Sequence, residues 1–349
     1  MLNNKYSQNF LLLCFGLFFS LVTTEIILRI ADFPTNKFLP WISDDRTGFR
    51  LAENMNQQMV RKEFNVNIRT NEKGFRDDKI EEKDSFRILL LGDSFTMGYG
   101  AERDELFADL LEDNLGVDIL NVGCGGFELI HQVRWFKNYA KQYDPDLVIY
   151  ALYLGNDLSR NMRWKELADG NLDASHFLRR KKTWFKVIEL ARFLVYKFKA
   201  RELDQSEWRP PEDYLRMSEI NPSEETKQNY KIAKELLHEL SEEVTRAGHE
   251  FFVFTFPYKT AVDALAHERF SKEIDNFSEL YDLNIPTKKM ESFLNEKGIR
   301  NHSLTEAMHS HYEKNKANPL FFEYDGHFTP LGHSFVAKQL APIIKPLLD

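Results

Sequence analysis

From residue 86 onward, short apolar runs alternate with stretches of helical period. "FRILLLGD" (86–93), "VDILNVG" (117–123), "DLVIYALYL" (146–154) and "HEFFVFTFP" (249–257) are nearly continuous apolar runs of strand length. "GIRNHSL" (298–304) reads as a weaker fifth strand. Between them, 103–115 and 128–142 have helical spacing, with Leu129, Val133, Phe136 and Ala140 on one face. A further helix is expected with Asn221 as N-cap, Pro222 at its first position and Glu224 at its third. Tyr230, Ala233, Leu237, Leu240 and Val244 form its apolar stripe. Thr329–Pro330 opens a last helix carrying Phe335, Val336, Leu340, Ile343, Ile344 and Leu347. Strands apolar on both faces and separated by helices predict a parallel sheet in an α/β fold, covered on both sides.

Outside this rhythm the pattern changes three times. The most apolar part of the N-terminus, Phe10 to Val22, is thirteen residues, which is signal-peptide length. Including Thr23, Thr24, Glu25 and "IILRI" makes it long enough to span a bilayer. No small-residue cleavage site follows, and Leu13 stands where a lipoprotein box needs a small residue before Cys14. The reading favours an uncleaved anchor over residues 1–34, with Lys5 inside and the bulk of the chain extracytoplasmic; a cleaved signal peptide and secretion is the alternative. Residues 35–85 are mixed and read as an arm lying on the main domain, residues 86–349. That domain carries an insertion at about 158–220 without a confident strand. Within it, residues 177–201 hold nine basic residues (Arg179, Arg180, Lys181, Lys182, Lys186, Arg192, Lys197, Lys199 and Arg201) against Glu189. A solvated helix, a membrane-surface helix, and a lid or cradle for an anionic glycan are the open readings of that stretch.

Composition narrows the function classes. A net charge of −8 and a pI near 5.8 argue against nucleic acid as a partner. Cys14 and Cys124 are the two cysteines; with Cys14 in the apolar N-terminus, no disulfide between them is expected. No Cys/His cluster has zinc spacing, and neither a metal nor an organic cofactor is implied.

In an open parallel sheet, ligands bind beyond the carboxyl ends of the strands. The first strand ends in Gly92-Asp93-Ser94, the second in Asn121-Val122-Gly123-Cys124-Gly125-Gly126, and the third in Gly155-Asn156-Asp157. Singly these are ordinary turn residues; three successive polar strand ends are harder to dismiss. A serine nucleophile needs a base and an acid to orient that base, and "EYDGHFTPLGH" offers Asp325 and His327. The Ser94 N–H, the Gly126 N–H and the Asn156 side chain are candidate oxyanion donors. Asp93 reads as turn support, Asp157 as a partner of the turn backbone, and Cys124 and Trp135 as packing. His333 falls inside the last helix and reads as packing or capping.

With these blocks in view, the chain resembles the SGNH (GDSL-like) hydrolases, through "GDSF", "NVGCGG", "LGND" and the terminal Asp/His block, over roughly residues 65–349 without the insertion. The resemblance implies a three-layer α/β/α flavodoxin-like fold, here expected behind the N-terminal transmembrane helix read from the apolar stretch. It implies Ser94 as nucleophile and first oxyanion donor, Gly126 as second, Asn156 as third, His327 as base and Asp325 as its acid. Gly123 and Gly125 compete with Gly126, and Glu323 with Asp325. The family's common Asp-x-x-His spacing is replaced by Asp-x-His, with Tyr324 three residues before the histidine. The shorter spacing resembles the branch containing alginate and peptidoglycan O-acetyltransferases. The implied function is a serine esterase acting on O-acyl or O-acetyl groups of an extracytoplasmic carbohydrate or lipid. An O-acetyltransferase of envelope polysaccharide and a non-catalytic glycan-binding scaffold are the alternatives. The expected partners are a small-molecule or glycan ester and the membrane, reached through the N-terminal helix and the basic stretch.

Overall fold

A computed structural model describes residues 2–30, 41–161, 185–188, 190, 191, 194, 208–315 and 317–348. The chain divides into two compact units, Met1–Leu39 with Arg179–Ser206, and Pro40–Leu178 with Glu207–Asp349. In the first unit, helix α1 (Leu2–Ile30) is continuous, and its segment Tyr6–Ile30 has a mean hydropathy of 2.3, long and apolar enough to cross a membrane. A signal sequence has the same properties. Glu25, the acid near its end, accepts from the Arg29 Nε (2.7 Å) and the Val187 N–H (2.9 Å). Most of the basic stretch 177–201 lies outside the described residues.

The second unit begins with two antiparallel hairpins, β1 (Trp41–Asp44) with β2 (Gly48–Leu51) and β3 (Asn56–Val60) with β4 (Asn65–Arg69). The central sheet follows: β5 (Arg87–Leu91), β6 (Asp118–Asn121), β7 (Leu147–Tyr153), β8 (Glu250–Phe256) and β9 (Arg300–Ser303). All four pairings are parallel and the order is β6-β5-β7-β8-β9. Counted within this sheet the order is 2-1-3-4-5, the flavodoxin-like arrangement, whose topological switch lies between β5 and β7. The connecting helices are α2 (Ser94–Met97), α3 (Phe107–Leu115), α4 (Leu129–Tyr139), α5 (Asn156–Ser159), α6 (Glu212–Arg216), α7 (Glu224–Arg246), α8 (Ala264–Ser271), α9 (Phe277–Leu280), α10 (Ile285–Glu296), α11 (Thr305–Lys314) and α12 (Pro330–Ile344).

Side chains alternate across a strand, so each strand feeds two faces. Ile88, Leu90, Ile149, Phe252 and Phe254 share one core with Phe107 and Leu111 of α3 and Val336, Ala337 and Leu340 of α12. Leu89, Leu91, Val148, Leu152 and Val253, on the opposite face, are equally buried. There α7 packs on β8 and against α4, burying Leu237, Leu240 and Val244 of one helix and Leu129, Val133 and Phe136 of the other. Burial on both faces is why these strands read as unbroken apolar runs.

The start of α7 differs from expectation. Ser223 is its N-cap, accepting from the Thr226 N–H at 3.1 Å, and Asn221 and Pro222 precede the helix. The Ser223 N–H is itself held by Glu219 (2.9 Å), which fixes the entering chain as a turn and moves the helix start two residues along.

Candidate active site

Strand β5 is fully buried and hands its chain directly into the four-residue helix α2, so Ser94 emerges at the carboxyl edge beside the switch point. Asp93 is the N-cap of that helix, its carboxylate accepting from the Phe95 N–H at 2.9 Å. The far side of the turn is held by Arg76, which is fully buried and donates to the carbonyls of Met97 (3.2 Å), Gly98 and Ala101 (2.5 Å). Burial lowers the Arg76 guanidinium to about 10.

Ser94 Oγ lies 2.8 Å from His327 Nε2, although 233 residues separate them. On the other side of the ring, His327 Nδ1 meets the Asp325 carboxylate. A carboxylate facing Nδ1 keeps the neutral ring's proton on that nitrogen, which leaves Nε2 free to accept from the serine hydroxyl. Asp325 is held below the ordinary carboxylate range, by the charge and hydrogen bonds of His327 and the charge of Arg61, against the opposing effect of burial. Glu323, the competing acid, is exposed and points to Arg269, 3.8 Å away. The imidazole sits between Phe95 (centroids 4.8 Å) and Tyr99 (4.6 Å), which limits it to one plane.

The loop after β6 supplies a backbone donor. Asn121 ties this loop to α2, donating to Thr96 O (2.8 Å) and accepting from the Gly123 N–H (3.1 Å), so the Gly123 N–H is already engaged. The Gly125 carbonyl accepts from the Trp41 indole at 2.9 Å. Gly126, at φ +87° in the left-handed region, lines the cleft with Ser94. Among the described residues neither the Ser94 N–H nor the Gly126 N–H has an intramolecular acceptor. Asn156 opens α5 after β7, and its amide nitrogen donates to Phe127 O (3.0 Å).

Ser94, Gly126, Asn156, Asp325 and His327 therefore line one cleft of about 460 Å³, with Trp208, Tyr214, Arg160, Asp213 and Glu128 at its other walls. Arg160 pairs with Asp213 (2.5 Å) and stands 5.0 Å over the Tyr214 ring. Trp208 packs on Gly326, between Asp325 and His327, where a Cβ would come within 2.5 Å of the indole. Asp157 accepts from the Tyr153 N–H (3.0 Å) in full burial, and burial pushes its carboxyl well up, with the Asp93 charge adding to the effect. His333 is fully buried, accepts from the Phe107 N–H at 3.3 Å and is lowered by burial to about 3. Cys124 is buried beside the loop and Trp135 packs with Phe75 and Tyr143. No cluster of His, Cys, Asp and Glu suited to a metal ion occurs among the described residues.

The sequence reading missed Arg76, Trp208, Tyr214, Arg160 and the hairpin residue Glu63. Arg160 follows Asn156 by four residues without a pattern that marks it, and the others reach the cleft or its supporting loops from separate segments.

No family model matches the chain, and no curated protein matches it. Solved structures similar to it include an acetyl xylan esterase, at 10% identity over 74% of this chain and 100% of that chain, with a TM-score of 0.44. Another is a lipase/acylhydrolase from Enterococcus faecalis, at 14% identity over 76% of this chain and 97% of that chain, with a TM-score of 0.42.

Proposed function

We propose that the protein is a serine ester hydrolase working through an acyl-serine intermediate. The observation that carries this is the continuous relay from Ser94 Oγ through His327 to Asp325, placed beside two backbone N–H groups with no internal acceptor. His327 Nε2 takes the proton as Ser94 Oγ attacks the ester carbonyl carbon. The carbonyl oxygen becomes an oxyanion, met by the N–H groups of Ser94 and Gly126. Asn156 is the third donor, its amide nitrogen turning from Phe127 O to the oxyanion. Collapse breaks the bond to the alcohol oxygen, which leaves with the proton from the His327 imidazolium. Water, deprotonated by the same nitrogen, then attacks the acyl-serine, releases the acid and restores the serine hydroxyl.

The substrate is an O-acyl or O-acetyl ester of an extracytoplasmic carbohydrate or lipid, with α1 as the anchor. The cleft's mixed wall of aromatic rings, Arg160 and Asp213 supports a polar, ring-containing alcohol over a plain acyl chain. Transfer to a sugar hydroxyl is the second reading, favoured by the two-residue spacing of Asp325 and His327 and by the apolar N-terminal helix. The test compares the full chain with Ser94→Ala on p-nitrophenyl acetate and on acetylated sugars. Turnover should fall by at least about 10³-fold in the variant. A Ser94→Ala chain as active as the native one would refute the mechanism. Adding sugar acceptors separates the readings: acetylated acceptor accumulates under transfer, and free acetate under hydrolysis.

A further inference from the structure

The loop that carries Asp325 and His327 has an unusual support. It is pinched at its base by the Phe321–Phe328 bridge and by the Phe322 N–H donating to His327 O (2.8 Å). Inside the loop, three consecutive backbone N–H groups have no partner within the loop and converge on one carboxylate. Glu63 accepts from Glu323 N at 2.6 Å, Tyr324 N at 2.8 Å and Asp325 N at 3.1 Å. Successive amides turned toward one point form a concave anion site, and here the protein supplies its own anion from 260 residues away.

Glu63 sits at the tip of the β3–β4 hairpin, in the turn Arg61-Lys62-Glu63-Phe64 closed by the Arg61 N–H to Phe64 O bond (2.8 Å). Its neighbours all meet the same loop. Phe64 is buried against Phe322 (5.1 Å) and Tyr99 (5.6 Å), and Tyr99 in turn lies on the His327 ring. Lys62 stands 3.1 Å over the Tyr324 ring, and the Arg61 charge acts on Asp325. Gly100, at φ +95°, makes the approach possible: a Cβ there would come within 2.7 Å of Phe322 and 3.2 Å of Phe64.

Building on the esterase reading above, we infer that Glu63 is a positioning residue that holds the Asp325–His327 loop in register with Ser94 by filling its backbone amide nest. Glu63 touches neither the nucleophile nor the base. It acts on the peptide that carries Asp325, so its loss should let the acid, and through it the imidazole, leave the line to Ser94 Oγ. A misplacement of about 1 Å at a reacting group can cost about 100-fold in rate.

The experiment uses the full-length chain in detergent and p-nitrophenyl acetate, well below the melting temperature of every variant. Glu63→Gln keeps the shape but places an amide NH₂ against the N–H groups. It should lower kcat about 10- to 100-fold with KM within about twofold, while melting within a few degrees of the native chain. Glu63→Ala empties the nest, and formate should restore part of its lost kcat where chloride at the same ionic strength does not. Native kcat in Glu63→Gln overturns the inference. So does a Glu63→Ala chain whose activity falls only with its melting temperature and ignores formate. The Ser94→Ala control separates the two levels: if it remains active the esterase reading fails, whereas an inactive control beside a fully active Glu63→Gln condemns only the role of Glu63.

Discussion

Beside the candidate nucleophile, the Asp93 carboxyl is fully buried, and that burial raises it to about 6 against the opposing bonds from Phe95 and Asn156 and the charge of His327. In the unfolded chain it ionises near ~3.9. Between about pH 4 and pH 6 the folded state therefore binds the extra proton, and stability falls as pH rises through that window. Above it the full cost of a buried anion is present. Asp93→Asn keeps an acceptor for the Phe95 N–H and removes the ionisation. Relative to the native chain, its stability in urea should improve by on the order of 1–3 kcal/mol between pH 4 and pH 7. Parallel pH profiles for the two proteins would show that folding does not shift the ionisation of Asp93. The sequence marked Asp93 as turn support, which its N-cap bond confirms; its place beside Asn156 in one cleft could not be read, because it depends on two strand ends meeting. The choice between Asp325 and Glu323 was likewise closed to sequence, since only the loop geometry turns one carboxylate to His327 and the other to Arg269.

Among the elements, the strands were the most legible, because burial on both faces leaves an apolar run with little competing interpretation. Strand β9 was harder to read, since at the sheet's edge its residues are half-buried or exposed. Helix boundaries were less legible. Asn221-Pro222 matches the pattern of a helix start, yet Ser223 has the same three-residue relation to Thr226 and wins through its hydroxyl bond and the Glu219 tether. Ser223→Ala should cost about 1 kcal/mol in chemical denaturation, and Asn221→Ala less than about 0.5 kcal/mol. The reverse ranking would restore Asn221 as the cap. The hairpins of residues 41–69 were read only as an extended arm. Strands of four or five residues with mixed polarity give too short a pattern to register. Yet Glu63 in this arm reaches the Asp325–His327 loop, and Arg76 just after it holds the turn that carries Ser94.

For the whole molecule, the 2-1-3-4-5 strand order explains why residues from four sequence blocks share a cleft: β5 and β7 flank the switch point and point their ends the same way. Helix α1 stands apart from this logic, with its phenylalanines and leucines exposed from Phe10 to Leu21 and Leu28 buried. If it is retained as an anchor, the full chain should partition into the detergent phase of a Triton X-114 separation, and a chain lacking residues 1–35 into the aqueous phase. Aqueous partition of the intact chain would exclude the anchor.

The separation of 233 residues between Ser94 and His327 also sets an order in time. Synthesis runs from the N-terminus at about 5–20 residues per second, so the serine leaves the ribosome on the order of 10–50 seconds before its base. Through that interval the hydroxyl has no general base and remains an ordinary alcohol. Under the proposed mechanism, hydrolytic competence arrives only with Asp325 and His327, after α1 has long been available for membrane insertion. On that mechanism a growing chain meets its surroundings chemically silent, and a product ending before Asp325 should show no ester turnover.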